Sequence, residues 1–204
     1  MSEISPLALS PRLMRTLYAD ASTSAPHEIC GFLSVRAGEV DMFPCPNRAD
    51  GRDARGDDAE APVTTYSFRI DDDDLLALHR HLDDPKRTVI LYHSHVDVGA
   101  YLSTYDLAAR PLLGPHARHL VVDVREGRSV GARLFSPENS PFSRPWGAAR
   151  GTLALHESHR YDARGELLRL DRAHVDEPLA LPAYDGSLAV PNRVDSSAPP
   201  CAPR

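Results

Sequence analysis

Hydrophobic and polar positions along the chain follow two periods, one typical of helices and one typical of strands. Ser10 followed by Pro11 predicts a helix start, because serine is a common N-cap and proline suits the first helical position. Leu75, Leu78 and Leu82 share one face of a second predicted helix, whose leading aspartates favour a helix N-terminus. The remaining apolar, β-branched runs indicate strands. These runs are HEICGFLSV, EVDMFPCPN, TTYSFRI, TVILYHSH, RHLVVDV and SVGARLF.

The order of these elements predicts the fold class. Turns at Ala37-Gly38 and Glu126-Gly127 join neighbouring strands, and STYDLAARPLL indicates a short helix cut off at Pro111. The chain therefore runs helix, two strands, strand, helix, strand, short helix, two strands. Mixed elements of this kind predict an α/β sandwich in which a sheet lies between or beside helices.

The sequence changes character beyond Phe135. A linker-like stretch leads to a predicted hairpin around Ala163-Arg164-Gly165, and the last residues are rich in Pro, Ser and Ala, as disordered tails are. Residues 48–62 are polar and Gly-rich, and we expect a mobile loop there. These features predict a domain at residues 1–136, a C-terminal extension at 137–180 and a disordered tail at 181–204.

Composition excludes several classes of function. The 204 residues carry 23 Lys and Arg against 29 Asp and Glu, a net charge of −6, so nucleic acid is not an expected partner. We expect no membrane partner either, because no apolar run approaches the roughly 18 residues of a span and the N-terminus lacks signal-peptide character. Cys30, Cys45 and Cys201 form no CxxC pair and suit reduced thiols. These features predict a cytoplasmic protein and leave its oligomeric state open.

Candidate chemistry is concentrated in LYHSHVDVGAYLSTYD, residues 91–106. His93 and His95 lie two residues apart at the end of a predicted strand, so both imidazoles leave the same face. Two neutral imidazoles so placed can bind one Zn²⁺, and a catalytic zinc needs a third protein ligand and an open position for water. Asp106 can supply that ligand from the helix that begins at Ser103. Two neutral histidines and one carboxylate leave the metal unit at about +1, which acidifies a bound water.

Two further residues complete a hydrolytic set. Glu28, at the start of an earlier strand, can act as general base toward the water and then as general acid toward the leaving amine. Ser103 has a hydroxyl at the loop–helix junction that can donate a hydrogen bond to an oxyanion.

Each part of this set also has a structural interpretation. A His-x-His pair alone is often exposed or structural. The spacing Ser103-x-x-Asp106 is also that of a capping box, in which the serine caps the helix and the acid reaches back. Glu28 by itself is only a polar residue before a strand, and Asp97, in the loop, is an alternative third ligand.

The other histidines predict no second site. His79 and His81 lie two apart on a helix, so they point in different directions. We expect surface positions for His27, His116, His119, His156 and His159.

Taken together, six positions resemble the signature of the JAMM (MPN-plus / Mov34) zinc metallopeptidases: Glu28, His93, Ser94, His95, Ser103 and Asp106. In that family a Glu is followed, after a long gap, by H-[ST]-H-x7-S-x2-D, and every fixed position matches at the same spacing. The resemblance covers about residues 7–135. It implies an α/β fold: a single MPN (JAMM) domain with a curved mixed β-sheet flanked by helices, a deaminase-like sandwich, here with a C-terminal extension.

The resemblance also implies a role for each residue. His93, His95 and Asp106 would bind one Zn²⁺ per chain with a water as fourth ligand, Glu28 would be the acid/base, and Ser103 would stabilise the oxyanion.

Small prokaryotic members of the family resemble this chain most in length and in the local sequence YHSH…AY.S..D. The implied function is a zinc-dependent peptidase or isopeptidase that cuts at the C-terminus of a ubiquitin-like or sulfur-carrier protein ending in Gly-Gly. The chain has Val96 and Leu102 where many members have proline, which bears on loop shape and substrate fit. The alternative is a non-catalytic MPN-type interaction module, although such modules usually lack a metal residue. A deaminase-like enzyme would need a PCxxC arrangement, and Pro44-Cys45-Pro46-Asn47-Arg48 has no second cysteine.

Overall fold

The computed structural model of the chain describes residues 8–50, 68–103, 106, 113, 117–137, 144–146 and 155–168. Among them are helices α1 (Pro11–Ser24) and α2 (Asp72–Leu82) and a short 3-10 helix at Arg48–Asp50. The strands are β1 (Cys30–Arg36), β2 (Glu39–Cys45), β3 (Thr88–Val96), β4 (Arg118–Arg125), β5 (Arg128–Ser136), β6 (Arg144–Trp146), β7 (Leu155–Tyr161) and β8 (Leu167–Leu168). Within these described ranges, no helix is both long and apolar enough to cross a bilayer.

The strands form one mixed sheet in the order β2-β1-β3-β4-β5-β7-β6, with β8 paired to β7. Only β3 and β4 run parallel among the described pairs, because the predicted short helix lies between them in the chain. The turns at Ala37-Gly38 and Glu126-Gly127 have positive φ at both central residues, as tight hairpin turns require. The predicted α/β class, with a mixed sheet and helices, is confirmed.

Helix α1 covers one face of the sheet. Ser10 Oγ accepts a hydrogen bond from Leu13 N at 3.3 Å, which confirms the predicted cap and start of the helix. The helix buries Met14 and Leu17 completely against strand residues that share this face. Those strand residues include Leu33, Val35, Ile90, Tyr92, Leu120, Val122 and Leu134.

Helix α2 covers the opposite face. Asp71 caps it by accepting from Asp74 N at 3.0 Å, and Leu78 is fully buried, with Leu75 and Leu82 packed beside it as the periodicity predicts. Because strand side chains alternate, Val89 and Leu91 of β3 face α2. The same alternation directs the side chains at positions 93 and 95 to the α2 face.

The sheet continues into the predicted C-terminal extension. Strand β7 pairs along β5, and Tyr161 lies in the α1 core, where its hydroxyl accepts from Leu9 N at 3.0 Å. The predicted hairpin is confirmed as β7 and β8, with Gly165 at φ +79° in its turn. The domain boundaries stay a prediction, and the tail at 181–204 lies outside the described residues.

The sequence-based prediction of a strand at TTYSFRI is wrong for its described part, residues 68–70, which lie in no strand. The backbone N–H of Arg69 instead donates to Asn47 Oδ1, and its carbonyl accepts from Arg48 N. The chain then continues to Asp71, the N-cap of α2. Residues 64–67, and residues 51–62 of the predicted loop, lie outside the described part. Of the predicted short helix, Ser103, Asp106 and Leu113 are described. Ser103 is not helical, whereas Asp106 and Leu113 are, so the chain is helical at Leu113, beyond the end predicted at Pro111.

Candidate metal centre

His93, His95 and Asp106 come together on the α2 face of the sheet. The two histidine Nε2 atoms are 3.1 Å apart. Asp106 Oδ1 lies 3.4 Å from His93 Nε2, and Asp106 Oδ2 lies 3.9 Å from His95 Nε2. All three residues are buried, and their ligand atoms lie within 4.8 Å of one another, so the group could hold a metal ion.

The hydrogen bond at the far side of His95 prepares its ring for a metal. His95 Nδ1 lies 2.9 Å from the Gly99 carbonyl oxygen, so Nδ1 carries the proton and donates it. The Nε2 lone pair then faces His93 and Asp106. Two imidazoles and one carboxylate are also the donor set that suits a catalytic zinc. The residues present therefore fit a divalent metal.

The pKa values of the three residues show that a positive charge among their donor atoms is favourable. Burial lowers the pKa of His93, but the charge of Asp106, the hydrogen bond to Asp106 and the charge of Glu28 together raise that pKa above its ordinary value. Burial, together with His93, lowers the pKa of His95 to about 4. Burial raises the pKa of Asp106, yet the charges of His93 and His95 and the hydrogen bonds from His93 and Ser103 together hold that pKa well below its usual range. A positive charge beside the buried Asp106 carboxylate stabilises its charged form, and a divalent metal at these donor atoms would supply such a charge.

Ser103 and Asp106 form a reciprocal capping pair. Asp106 Oδ2 accepts from the Ser103 backbone N–H and from the Ser103 hydroxyl, both at 2.7 Å. In return, Ser103 Oγ accepts from Asp106 N at 3.2 Å. The capping interpretation of this spacing is therefore correct, and it is compatible with a metal site because the cap aims the carboxylate at the histidines.

Glu28 immediately precedes Ile29 and β1, beside the end of β3. Cys30 is opposite His93 in the antiparallel register, and Ile29 and Ser94 are hydrogen-bonded at the next position. The same register brings Glu28 alongside His95. Glu28 is 5% exposed. Burial raises the pKa of its carboxyl to about 8, partly opposed by His93.

Two aromatic rings pack on His93 and His95; Phe68 has no sequence signal, whereas Tyr101 belongs to the local sequence AY.S..D that resembles the family. Phe68 is stacked on His93, with ring centroids 4.7 Å apart and an interplanar angle of 29°. Tyr101 presents an edge contact to His95 at 4.8 Å and 70°. These contacts restrict ring rotation at both histidines.

Two further side chains support the site: Ser94, which the family signature includes without a role, and Asn47, which sequence reasoning did not single out. The Ser94 side chain leaves the opposite face of β3 from the histidines, and its Oγ accepts from Ile29 N at 2.9 Å. Asn47 Nδ2 donates to the carbonyl oxygen of Glu28 at 2.9 Å. Both contacts join residues distant in sequence, which is why no local pattern revealed them.

Asp97 does not join the group. Its Oδ1 accepts from Glu126 N at 2.9 Å, and its carbonyl accepts from Arg125 Nη1 at 2.8 Å. Asp97 and Gly99 both have positive φ, which turns the loop so that the Gly99 carbonyl meets His95. Asp97 therefore shapes the loop, and the alternative of Asp97 as third ligand finds no support in its position.

The remaining histidines are placed differently from one another. His79 is exposed, whereas His81 Nδ1 lies 2.9 Å from Ser34 Oγ, so the two point apart as predicted. The expected surface positions of His119 and His159 are wrong, since both are buried. They lie on the inner strands β4 and β7, and their i, i+3 spacing gave no sign of that.

Comparison with known proteins now identifies the family. Residues 10–132 match the family model of prokaryotic homologues of the JAB domain (Prok-JAB). This match spans more than half of the chain, so the protein belongs to that family, which confirms the resemblance to the JAMM/MPN proteins. It is a JAB-type domain with a His-His-Asp group that could bind a metal.

Two solved structures are similar to the chain at low identity. A protein of Desulfitobacterium hafniense is 19% identical over 65% of this chain and 84% of its own, with a TM-score of 0.44. A protein of Salinibacter ruber is 21% identical over 66% of this chain and 82% of its own, with a TM-score of 0.39. No curated protein matches the sequence. Likenesses this distant have no bearing on the function.

Proposed function

We propose that the chain is a zinc-dependent peptidase or isopeptidase that cuts a peptide or isopeptide bond at the C-terminus of a ubiquitin-like or sulfur-carrier protein. The observation that carries the proposal is the buried group of His93, His95 and Asp106 with Glu28 alongside. A structural histidine pair would need neither a converging carboxylate nor a second buried acid. The proposed setting is the cytoplasm.

His93, His95 and Asp106 would hold one Zn²⁺ per chain. When bound, the metal lowers the pKa of a water and polarises the substrate carbonyl. In this proposal Glu28 removes a proton from the attacking water and passes it to the departing amine. Its pKa of about 8 in the metal-free protein suits this work, because a carboxyl that titrates near neutral pH both accepts and returns a proton.

Ser103 is proposed to stabilise the oxyanion of the tetrahedral intermediate. Its hydroxyl donates to Asp106 Oδ2. When that carboxylate serves as a metal ligand, the hydroxyl can turn to the substrate. Removing one oxyanion donor typically lowers kcat by about 10²–10³.

The substrate proposal rests on the family and on the walls of the site. Phe68 and Tyr101 flank the two histidines. A C-terminal Gly-Gly has no side chains to collide with such walls and can lie extended beside a sheet. The proposed partner is therefore a small carrier protein with a short extension beyond Gly-Gly.

The test combines metal analysis with a cleavage assay. The purified full chain should contain about one zinc, and incubation with a carrier protein extended beyond Gly-Gly should shorten the carrier, as seen by mass spectrometry. Chelation should abolish cleavage, and Glu28→Gln should keep the zinc and lose activity. The matched control is His79→Gln, an exposed histidine outside the site. Normal turnover by Glu28→Gln, or a protein that takes up no metal, contradicts the proposal, and the second result favours a non-catalytic module.

A further inference from the structure

Asn47 lies two residues beyond the end of β2, and each end of its side-chain amide is used. Its Nδ2 donates to the carbonyl oxygen of Glu28 at 2.9 Å. Its Oδ1 accepts from Ala49 N at 2.9 Å and from Arg69 N at 3.1 Å. Only this orientation of the amide satisfies all three contacts, because a carbonyl needs an N–H and the two N–H groups need an oxygen.

These hydrogen bonds join three segments that are distant in sequence. They connect Glu28, two residues before β1, with the 3-10 turn after β2 and the chain that leads into α2. A second link strengthens the third segment: Arg48 N donates to the Arg69 carbonyl at 2.9 Å, and the Arg48 guanidinium contacts the Asp71 carboxylate at 2.7 Å. Phe68, which stacks on His93, stands at the start of that segment.

We infer that Asn47 is a positioning residue for the site, which fixes the main chain at Glu28 through Nδ2 and the segment bearing Phe68 through Oδ1. The part of the inference that concerns catalysis rests on the proposed function. Glu28 is buried and lies before the first paired residue of β1. The position of its carboxylate therefore depends on how firmly its own main chain is held. Displacement of a reacting group by 1 Å can lower the rate by about 10²-fold.

The chain offers variants that separate the two halves of the amide. Asn47→Asp keeps an oxygen for Ala49 and Arg69 but removes the donor to Glu28. Asn47→Ala removes both. Arg48→Met is the matched control, because it breaks the contact with Asp71 and leaves the Asn47 side chain intact.

Amide hydrogen exchange of the full chain, measured by mass spectrometry with and without zinc, tests the placement independently of activity. Asn47→Asp should speed exchange at residues 28–31 and leave 69–74 as in the wild type. Arg48→Met should speed exchange at residues 69–74 and leave 28–31 as in the wild type. Asn47→Ala should speed exchange at both segments. Wild-type exchange at 28–31 in Asn47→Asp overturns the inference.

Kinetics test the role of that placement. Asn47→Asp should retain one zinc and a KM within about threefold of the wild type, while kcat falls by about 10–100-fold. An unchanged kcat, or loss of zinc in parallel with activity, overturns a positioning role for the base. If the wild-type protein cleaves no carrier, the proposed function fails, whereas the exchange pattern still supports or overturns the placement by Asn47.

Discussion

Ile29 and Ser94 exchange two hydrogen bonds at the point where β1 begins. Ile29 N–H donates to Ser94 Oγ at 2.9 Å, and Ser94 N–H donates to the Ile29 carbonyl at 3.1 Å. Ser94 is fully buried and separates the two histidines in the chain. The strand that carries His93 and His95 therefore also holds the residue next to Glu28, so the two halves of the candidate site are fixed to one another.

Ser94→Ala should lower both stability and turnover without releasing the metal. It leaves the buried N–H of Ile29 without its side-chain acceptor, which costs about 1–3 kcal/mol. Denaturant titration gives the change in the free energy of unfolding, and metal analysis should still find about one zinc. Ser94→Thr retains the hydroxyl and should restore most of kcat. A Ser94→Ala protein with wild-type stability would show that this contact does not hold the strands.

Zinc should stabilise the folded protein, because the ligand group is assembled only in the folded state. At a free zinc concentration of 100 times Kd, the expected gain is about 2.7 kcal/mol, which appears as a rise in Tm. His95→Ala and Asp106→Ala should each abolish most of that rise. Asp97→Asn serves as the control, since its carboxylate faces Glu126 N and not the histidines. Equal zinc responses in Asp106→Ala and Asp97→Asn would exclude Asp106 as a ligand.

The metal-free protein should lose stability as the pH rises between about 4.5 and 8 because of Glu28. Burial raises the pKa of this carboxyl from 4.5 to about 8, so in that window the folded state binds a proton that the unfolded state has released. The contribution of Glu28 is fully present below the unfolded pKa and is lost as the pH passes through the folded pKa. The slope is at most about 1.4 kcal/mol per pH unit.

Glu28→Gln removes the titrating group and keeps a side chain of similar size. Its stability should fall less steeply over the same window, as measured by denaturant titration at several pH values in the presence of a chelator. Parallel pH profiles for the wild type and this variant would show that Glu28 is not buried as an acid in the metal-free protein.

Local patterns predicted the elements well, because each had its own sequence signal. The cap at Ser10, the acids before α2, and the tight turn at Glu126-Gly127 all act over a few residues. The spacing of the histidines predicted that both leave one face of β3, and the structure places them so. The strand expected at TTYSFRI was wrong in its described part, because Arg69 forms its backbone hydrogen bonds with residues 47 and 48, distant in sequence.

The supporting contacts of the site could not be predicted from the sequence in the same way. Asn47, Phe68 and Ser94 each act through a partner at least 19 residues away, and no spacing rule connects such pairs. The type of Glu28 and its place before a strand made it a candidate base, and the family signature supported that role. Burial of His119 was missed because the i, i+3 spacing of its pair was interpreted without regard to the inner strand that carries it.

Gly31 should tolerate no side chain, because β1 is closely approached there from two sides. A Cβ at this position would collide with the Phe43 carbonyl oxygen of β2 and with the Tyr92 hydroxyl of β3. The carbonyl is backbone and cannot move aside as a side-chain tip could, so Gly31→Ala should cost about 1–3 kcal/mol of stability. It should also lower kcat, since the strand that follows Glu28 would shift against β3.

Val130→Ala, at an exposed position of β5, is the control and should change stability by less than about 0.5 kcal/mol. The measurement is the denaturant midpoint of each variant. Equal midpoints for Gly31→Ala and Val130→Ala would show that β2 and β3 leave space for a Cβ at position 31. Close packing of β1 would then not be what holds Glu28 in place.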